Sequence, residues 1–519
     1  MLAQAIQVVW FKRDLRVHDH RPLVEACARG PVAALYCFEP SLLAEPDADP
    51  RHRAFVEASL AELAHDLARI GLTLLVRETE ILSALDEIHH ATPVAGLWSH
   101  EETGTLASFA RDKRVTAWCR SHAVQWTELR QFGVFRGQLD RDRWDAQWEA
   151  HMREPVTARL NGTRDAGVLL DRGWRADVAL AGRSSKHQRG GRRAGVAVLT
   201  DFLGGRAARY RGGISSPLKA PTACSRLSPY LAWGNLSMRE LVQATRRRRE
   251  EINAKPPNER AERLDASLRA FESRLHWHCH FIQKLESQPD LELQNMHRGY
   301  DGLREADFDP ALFNAWRDGQ TGYPLVDACM AMLRETGWLN FRMRAMLMSF
   351  AAYHLWLHWR EPGLHLARLF TDYEPGIHWA QVQMQSGVTG INALRIYNPV
   401  LQARQHDPQG RFVRHWLPAL ARVSDTWIFE PWRMPANVQR DTGCVIGHDY
   451  PTPLVELEHS LRAARARYSD WRQRPGLREE SRQVYKRHGS RKRQDKLRVK
   501  GAPASQSPQL ELFNQDVNA

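Results

Sequence analysis

Between Gly337 and Pro399 the sequence sets groups able to hold and tune a ligand inside an apolar wall. The run GWLNFRMRAMLMSFAAYHLWLHW carries Asn340, Arg342, Arg344, His354 and His358 in a stretch that is apolar nearly all round, which reads as a core helix. A turn is expected at Arg360-Glu361-Pro362-Gly363. After it comes a loop-rich piece, DYEPGIHWAQVQMQSGVTGINALRIYNP, with Asp372, Glu374, His378, Trp379 and three Gln. Charged groups inside an apolar wall must be paired or bonded to a ligand. Asn340 and Arg344 stand four apart and project from one helix face. Two readings stay open here: a core helix with a structural ion pair, or a wall around a planar cofactor with many hydrogen-bonding groups.

The elements that position these residues are legible from periodicity. AIQVVWF (5 to 11), VAALYCF (32 to 38), LTLLVRE (72 to 78) and VAGLWSH (94 to 100) read as buried strands, with helical stretches such as AFVEASLAELAHDLARIG between them. Strands alternating with helices imply a parallel sheet, so the fold class is an α/β, Rossmann-like N-terminal domain. No GxGxxG follows the first strand, and the charged turn KRDLRVHD is expected to be solvated. SHEETG at 99 to 104 ends a strand, where an α/β sheet binds ligands. From 196 to about 470 helical patterns dominate, which makes the second domain all α. The expected boundaries are 1–132, a linker at 133–205, the all-α domain at 206–474, and a basic, disordered tail at 475–519. The run Arg246 to Arg249 is expected to be a solvated helix face.

At 519 residues the chain suits two or three domains. It has no run long and apolar enough for a membrane span and no signal-peptide layout, so a soluble, cytoplasmic protein is expected. Seven scattered Cys without a CxxC pair argue against a disulfide framework, a metal site or a four-thiolate cluster. The net charge of +13 favours a polyanionic partner such as DNA. Much of that charge sits in the tail, where residues 478–500 hold ten Lys or Arg against three Asp or Glu.

WFKRDLRVHD near the start, TACSRLSPYLAWGNLS at 222 to 237, GQTGYPLVDACM at 319 to 330, TGWLNFRMR at 336 to 344 and RIYNP at 395 to 399 together resemble the DNA photolyase and cryptochrome family, in order and spacing, from about residue 7 to 468. The resemblance implies an all-α domain that binds FAD, an N-terminal domain with room for a second, antenna chromophore, and DNA containing pyrimidine dimers as substrate. A signalling protein partner replaces the DNA if the chain is a photoreceptor of the cryptochrome type. By the resemblance, Tyr210, Cys224, Ser225, Arg226, Leu227 and Ser228 hold the FAD phosphates, in keeping with the short donors and counter-charge that a diphosphate needs. Arg344 and Asp372 match a buried pair beside the flavin, Glu374 an acid near ring and ribityl, and His378 the residue facing flavin N5, where an imidazole is a candidate proton donor.

The substrate pocket departs from the family pattern. Trp277 matches one lesion-contacting Trp, but Arg274 stands where a Glu is usual, Phe341 where an Asn is usual, and Val382 where a second Trp is usual. Glu272, Asn340, Gln381, Gln383 and Gln385 are candidate replacements, and His276, His278 and His280 are nearby imidazoles. Of the family's chain of three tryptophans that reduces FAD, Trp359 matches the middle one. The flavin-proximal position is Ala380 or Val382, which leaves Trp338, Trp356 and Trp379 as candidates for another route.

Overall fold

A computed structural model describes residues 5–137, 140–157, 160, 163–167, 170–174 and 186–489. Two compact units emerge from the contacts, Met1–Ala207 with Ser225–Pro289 and Thr371–Ile377, and Ala208–Cys224 with Asp290–Phe370 and His378–Ala519.

The first unit is built on a five-stranded parallel sheet, β1 (Ile6–Phe11), β2 (Val32–Cys37), β3 (Leu74–Arg77), β4 (Val94–His100) and β5 (Gln125–Leu129), in the order β3-β2-β1-β4-β5. All six residues of β1 are buried, as a central strand covered on both faces must be. Two apolar layers, one around Val8, Leu35 and Leu97 and one around Val9, Phe11 and Leu60, lie on the two faces. The order reverses at β1, so the strand ends carrying Lys12 and Arg13 flank the switch point at which such sheets bind ligands. Helices Met238–Asn253 and Glu262–Ser287 belong to this unit, as do Trp144–Arg153 and Arg192–Gly204, which form in the stretch expected to be a linker.

The second unit is helical. Helix Phe341–Ser349 runs on into a π-helical turn, Phe350–His354, so the long core helix expected from hydropathy widens and stops just before Trp356, whose φ is +56°. Arg360-Glu361-Pro362-Gly363 opens the helix Arg360–Leu369 instead of making a turn, and the piece expected to be loop-rich folds as the helix Pro375–Ser386. In both, a proline in the first helical turn costs no hydrogen bond and presets φ.

Part of the expected tail is also helical. Leu477–His488 docks on His297, whose Nε2 meets Leu477 O and Ser481 Oγ at 3.0 Å each, while Glu480 Oε2 accepts from Gly299 N at 2.8 Å. The rest of the tail, from 490, lies outside the described residues. Among the described residues no helix is long and apolar enough to cross a membrane.

Candidate functional site

The charged turn after β1 is buried, against expectation. Asp14 is fully buried and accepts from Lys12 N at 2.7 Å, His20 Nε2 at 2.8 Å and His100 Nδ1 at 2.7 Å. Arg16 donates to the carbonyls of Gly234, His18 and Asp19, and Arg13 to those of Ala232 and Tyr373. Backbone carbonyls thus take the place of water around these guanidiniums. Asp14, His20 and His100 are the one trio with metal-ligand spacing among the described residues. Leu23 N donates to His20 Nδ1, so the hydrogen bonds alone account for His20 at both nitrogens. Burial pushes His100 down to about 3, which keeps its ring neutral.

Beside this turn a cavity of about 180 Å³ opens at the ends of β1, β2 and β4, lined in part by Lys12, Glu39, Glu102, Arg111 and Trp233. Arg111 bridges Glu39, Glu102 and Asp112 at 2.6 to 3.1 Å and lies over the Trp10 ring. Lys12 Nζ stands 3.7 to 3.9 Å from Glu102, Asp112 and Glu128. Cofactor pockets usually exceed about 300 Å³. The space left by these ion pairs suits waters or a small ring.

Helix Glu262–Ser287 presents Trp277, half-exposed, with the Arg274 guanidinium 5.5 Å from its ring centroid. The candidate replacements on this helix are already engaged. Glu272 pairs through one oxygen with Arg246 (2.7 Å) and through the other with Arg249 (2.8 Å), so the arginine run expected to be solvated is an ion-paired face. His276 meets Asp145 at 2.9 Å and His280 meets Arg141. His278 is held neutral, its pKa pushed down to about 3 by burial and by Arg13.

Glu374 lies in the same unit, fully enclosed, 3.9 Å from Arg13, and burial pushes its carboxyl up to about 7. A carboxyl whose folded pKa exceeds its unfolded value of about 4.3 binds more protons in the folded state, so stability falls as pH rises between about 4 and 7. In the cofactor-free protein, Glu374→Gln is expected to remove that fall and to raise stability at pH 8 by about 3–4 kcal/mol. Denaturant titrations from pH 5 to pH 8 measure it, and parallel pH profiles for the two proteins would count against it.

In TACSRLSPYL, Ser225 O accepts from Arg206 Nη2 (3.2 Å) and Arg226 O from Gln188 Nε2 (2.8 Å). Ser225 Oγ accepts from Leu227 N (3.4 Å), Arg226 has a φ of +61°, and Ser228 begins a five-residue helix, Ser228–Ala232. Tyr210 and Cys224 lie in the second unit, Tyr210 buried and Cys224 half-buried. In that unit the Asn340 Nδ2 donates to Ile214 O (3.0 Å) and Ser215 O (3.2 Å), which leaves its buried Oδ1 without a partner. Arg344 Nε donates to Leu339 O at 2.6 Å, and its guanidinium lies 3.8 Å from the Phe370 ring centroid. Asp372 is buried in the first unit. Phe341 is exposed.

His378 Nε2 donates to Gly363 O at 2.8 Å. A carbonyl only accepts, so the ring's hydrogen sits on Nε2 and is committed there. The imidazole donates elsewhere only after gaining a second proton, which revises the expected proton-donor role. Trp359 and Trp379, 0% and 2% exposed, meet edge to face at 5.8 Å, and Trp359 Nε1 donates to Asn295 Oδ1 at 2.7 Å. Trp356 is held between the guanidiniums of Arg304 (4.6 Å) and Arg467 (4.7 Å), which disfavour removal of an electron from its ring. Trp338 follows the helix-ending Gly337 and is likewise buried.

Residues 7–135 match the model of the DNA photolyase domain, and residues 271–470 that of the FAD binding domain of DNA photolyase. A deoxyribodipyrimidine photo-lyase of Streptomyces griseus is 30% identical over 90% of this chain and its own whole length. The chain belongs to the DNA photolyase and cryptochrome family. Cryptochrome DASH of Synechocystis is 28% identical, covering 88% of this chain and 96% of that protein, and cryptochrome-2 of Arabidopsis thaliana is 28% identical, covering 87% and 76%. A class III photolyase from Agrobacterium tumefaciens, 24% identical, shares the fold with a TM-score of 0.80 over 91% of this chain and 99% of that one.

The model matched by residues 271–470 is that of an FAD binding domain, and polar atoms left unpaired in the second unit fit such a ligand. Asn340 Oδ1 and Trp379 Nε1, both in the second unit, are buried without a hydrogen-bond partner. A buried polar group costs about 1–3 kcal/mol when it is left unmade, so atoms of this kind mark where a ligand with donors and acceptors belongs.

Proposed function

We propose that this chain is a light-driven DNA repair enzyme, a deoxyribodipyrimidine photo-lyase acting on pyrimidine dimers. The observation that carries this reading is Trp277, an indole left half-exposed beside a guanidinium on an otherwise engaged helix face. An open aromatic plate next to a cation stacks an extruded base and meets its phosphate. Bound FAD, in its reduced and photoexcited form, supplies the electron that splits the dimer and then returns. The residues assigned to its phosphates are Tyr210, Cys224, Ser225, Arg226, Leu227 and Ser228. Arg344, Asp372, Glu374 and His378 are assigned to its ring system, and Trp379 and Trp359 form the buried route by which it is reduced. A second chromophore in the N-terminal cavity would have to be smaller than a flavin or displace the Arg111 ion pairs.

The test is repair of a thymine-dimer oligonucleotide by the chemically reduced holoprotein under blue light and in the dark. Light-dependent return of intact thymines is the expected result, and its absence for both dimer types sinks the enzyme reading. A cryptochrome-type photoreceptor is the second reading. One feature favours it: Gln383 on the helix bearing His378 bonds Met296 N, Leu291 O and Gln294 O, and the same segment's His297 holds the C-terminal helix Leu477–His488. That continuity would carry a change at the flavin to the tail.

A further inference from the structure

Three glutamines alternate along the helix Pro375–Ser386, and they meet different fates. Gln383, fully buried, has its amide satisfied at both ends, its Oε1 accepting from Met296 N (2.6 Å) and its Nε2 donating to Leu291 O and Gln294 O (2.7 Å each). Gln385 is only 3% exposed, and neither its Oε1 nor its Nε2 has a partner. Gln381 Oε1 is also buried and unpaired.

Helix geometry sorts the three. At about 100° per residue, Gln381 and Gln385 stand within about 60° of His378, whereas Gln383 points about 140° away from it. Trp379 and Val382, on the other flank of His378, crowd Gly363, where a Cβ would lie 2.8 Å from the Trp379 ring and 3.3 Å from Val382 Cγ1. The helix therefore uses one side for Gln383, closes another on Gly363, and keeps a buried stripe of unpaired carboxamide beside His378.

A carboxamide offers one donor and one acceptor side by side. Its complement is a cis-amide edge, which thymine and uracil present as N3–H beside a ring carbonyl. We infer that Gln385 reads that edge of a pyrimidine in the damaged substrate, with Gln381 adding an acceptor from the preceding turn. This rests on the repair reading above, and gives the second unit a specificity residue on the helix where Val382 stands in place of the usual Trp. Glu272 and Asn340 are not equivalent candidates. Both Glu272 oxygens are paired, and the Asn340 donor is spent on two carbonyls.

The experiment pairs a protein change with a substrate change. Wild-type holoprotein and Gln385→Leu, each with FAD content read by absorbance, are titrated with an oligonucleotide carrying a thymine dimer, the same dimer methylated at N3, and undamaged DNA. A bidentate pair of this kind discriminates by about 1–3 kcal/mol, so N3-methylation should weaken wild-type binding about tenfold. Gln385→Leu should weaken binding of the unmodified dimer by about the same factor, lose little more on N3-methylation, and keep its FAD. Should the leucine variant not fold, Gln385→Met keeps the length, removes both hydrogen-bonding groups without adding charge, and carries the same comparison. Equal methylation penalties in wild type and variant overturn the assignment, as does unchanged dimer binding by the variant. Loss of FAD from a folded variant overturns it too, since Gln385 would then be a cofactor ligand. If wild type does not distinguish dimer from undamaged DNA, the repair reading itself falls, and this inference with it.

Discussion

Replacing Asp327 by alanine should lower the unfolding free energy by about 4 kcal/mol. Its carboxylate is fully buried and accepts from Thr321 N (2.9 Å), Thr321 Oγ (2.6 Å), Gly322 N (3.1 Å) and Tyr450 OH (2.6 Å). It ties the first turn of the helix Pro324–Thr336 to the loop before it and to the chain around Tyr450. The same junction is close-packed. A Cβ on Gly322, whose φ is +76°, would lie 2.5 Å from the backbone of Thr452 and Pro453, and Leu454 N donates to Thr321 O. Alanine leaves these four donors without their acceptor, and each unmade buried bond costs about 1–3 kcal/mol. Asparagine keeps the shape but turns an amide donor toward donors, so it should recover only part of the loss. Urea unfolding followed by far-UV circular dichroism measures both variants. A change under about 1 kcal/mol for alanine would mean that the junction relaxes or hydrates freely.

The motif holding Asp327 illustrates what could be read in advance. GQTGYPLVDACM gave away the family through its residue types, but nothing in its spacing said that the acid serves as an internal cap. The sheet was legible because its strands are short apolar runs and parallel pairing buries both faces. Helices Arg360–Leu369 and Pro375–Ser386 were not, since their prolines and glycines signal turns locally and long-range contacts decide. His378 tightening onto Gly363 O is one such contact. The charged turn at Lys12 to Asp19 misled for the opposite reason. Charge in sequence normally means solvent, and the partners that bury it, Ala232 O, Gly234 O and His100, lie about 90 to 220 positions away. At the substrate face Trp277 was legible by type. That Glu272 was already spent on Arg246 and Arg249 was not, because ion-pair choice depends on how two helices are set side by side.

Trp277→Ala should weaken binding of dimer-containing DNA by about 3 kcal/mol, roughly a hundredfold, and leave undamaged DNA nearly unaffected. Stacking of a base on an aromatic side chain is worth about 1–3 kcal/mol, and the upper end applies where the plate is also a platform for a guanidinium. Arg274 lies over the indole and Phe281 braces it edge to face at 5.8 Å, so truncating Trp277 removes the plate together with its contact to the guanidinium. Trp277→Phe keeps a smaller plate and should recover most of the loss. Arg274→Gln keeps the plate and loses the charge, so it should weaken damaged and undamaged DNA alike and lower the salt slope by about one counterion. Fluorescence anisotropy at several salt concentrations separates these outcomes. If Trp277→Ala binds damaged and undamaged DNA as wild type does, the half-buried indole has no part in lesion recognition. The photoreceptor reading, in which this face meets no extruded base, then takes precedence.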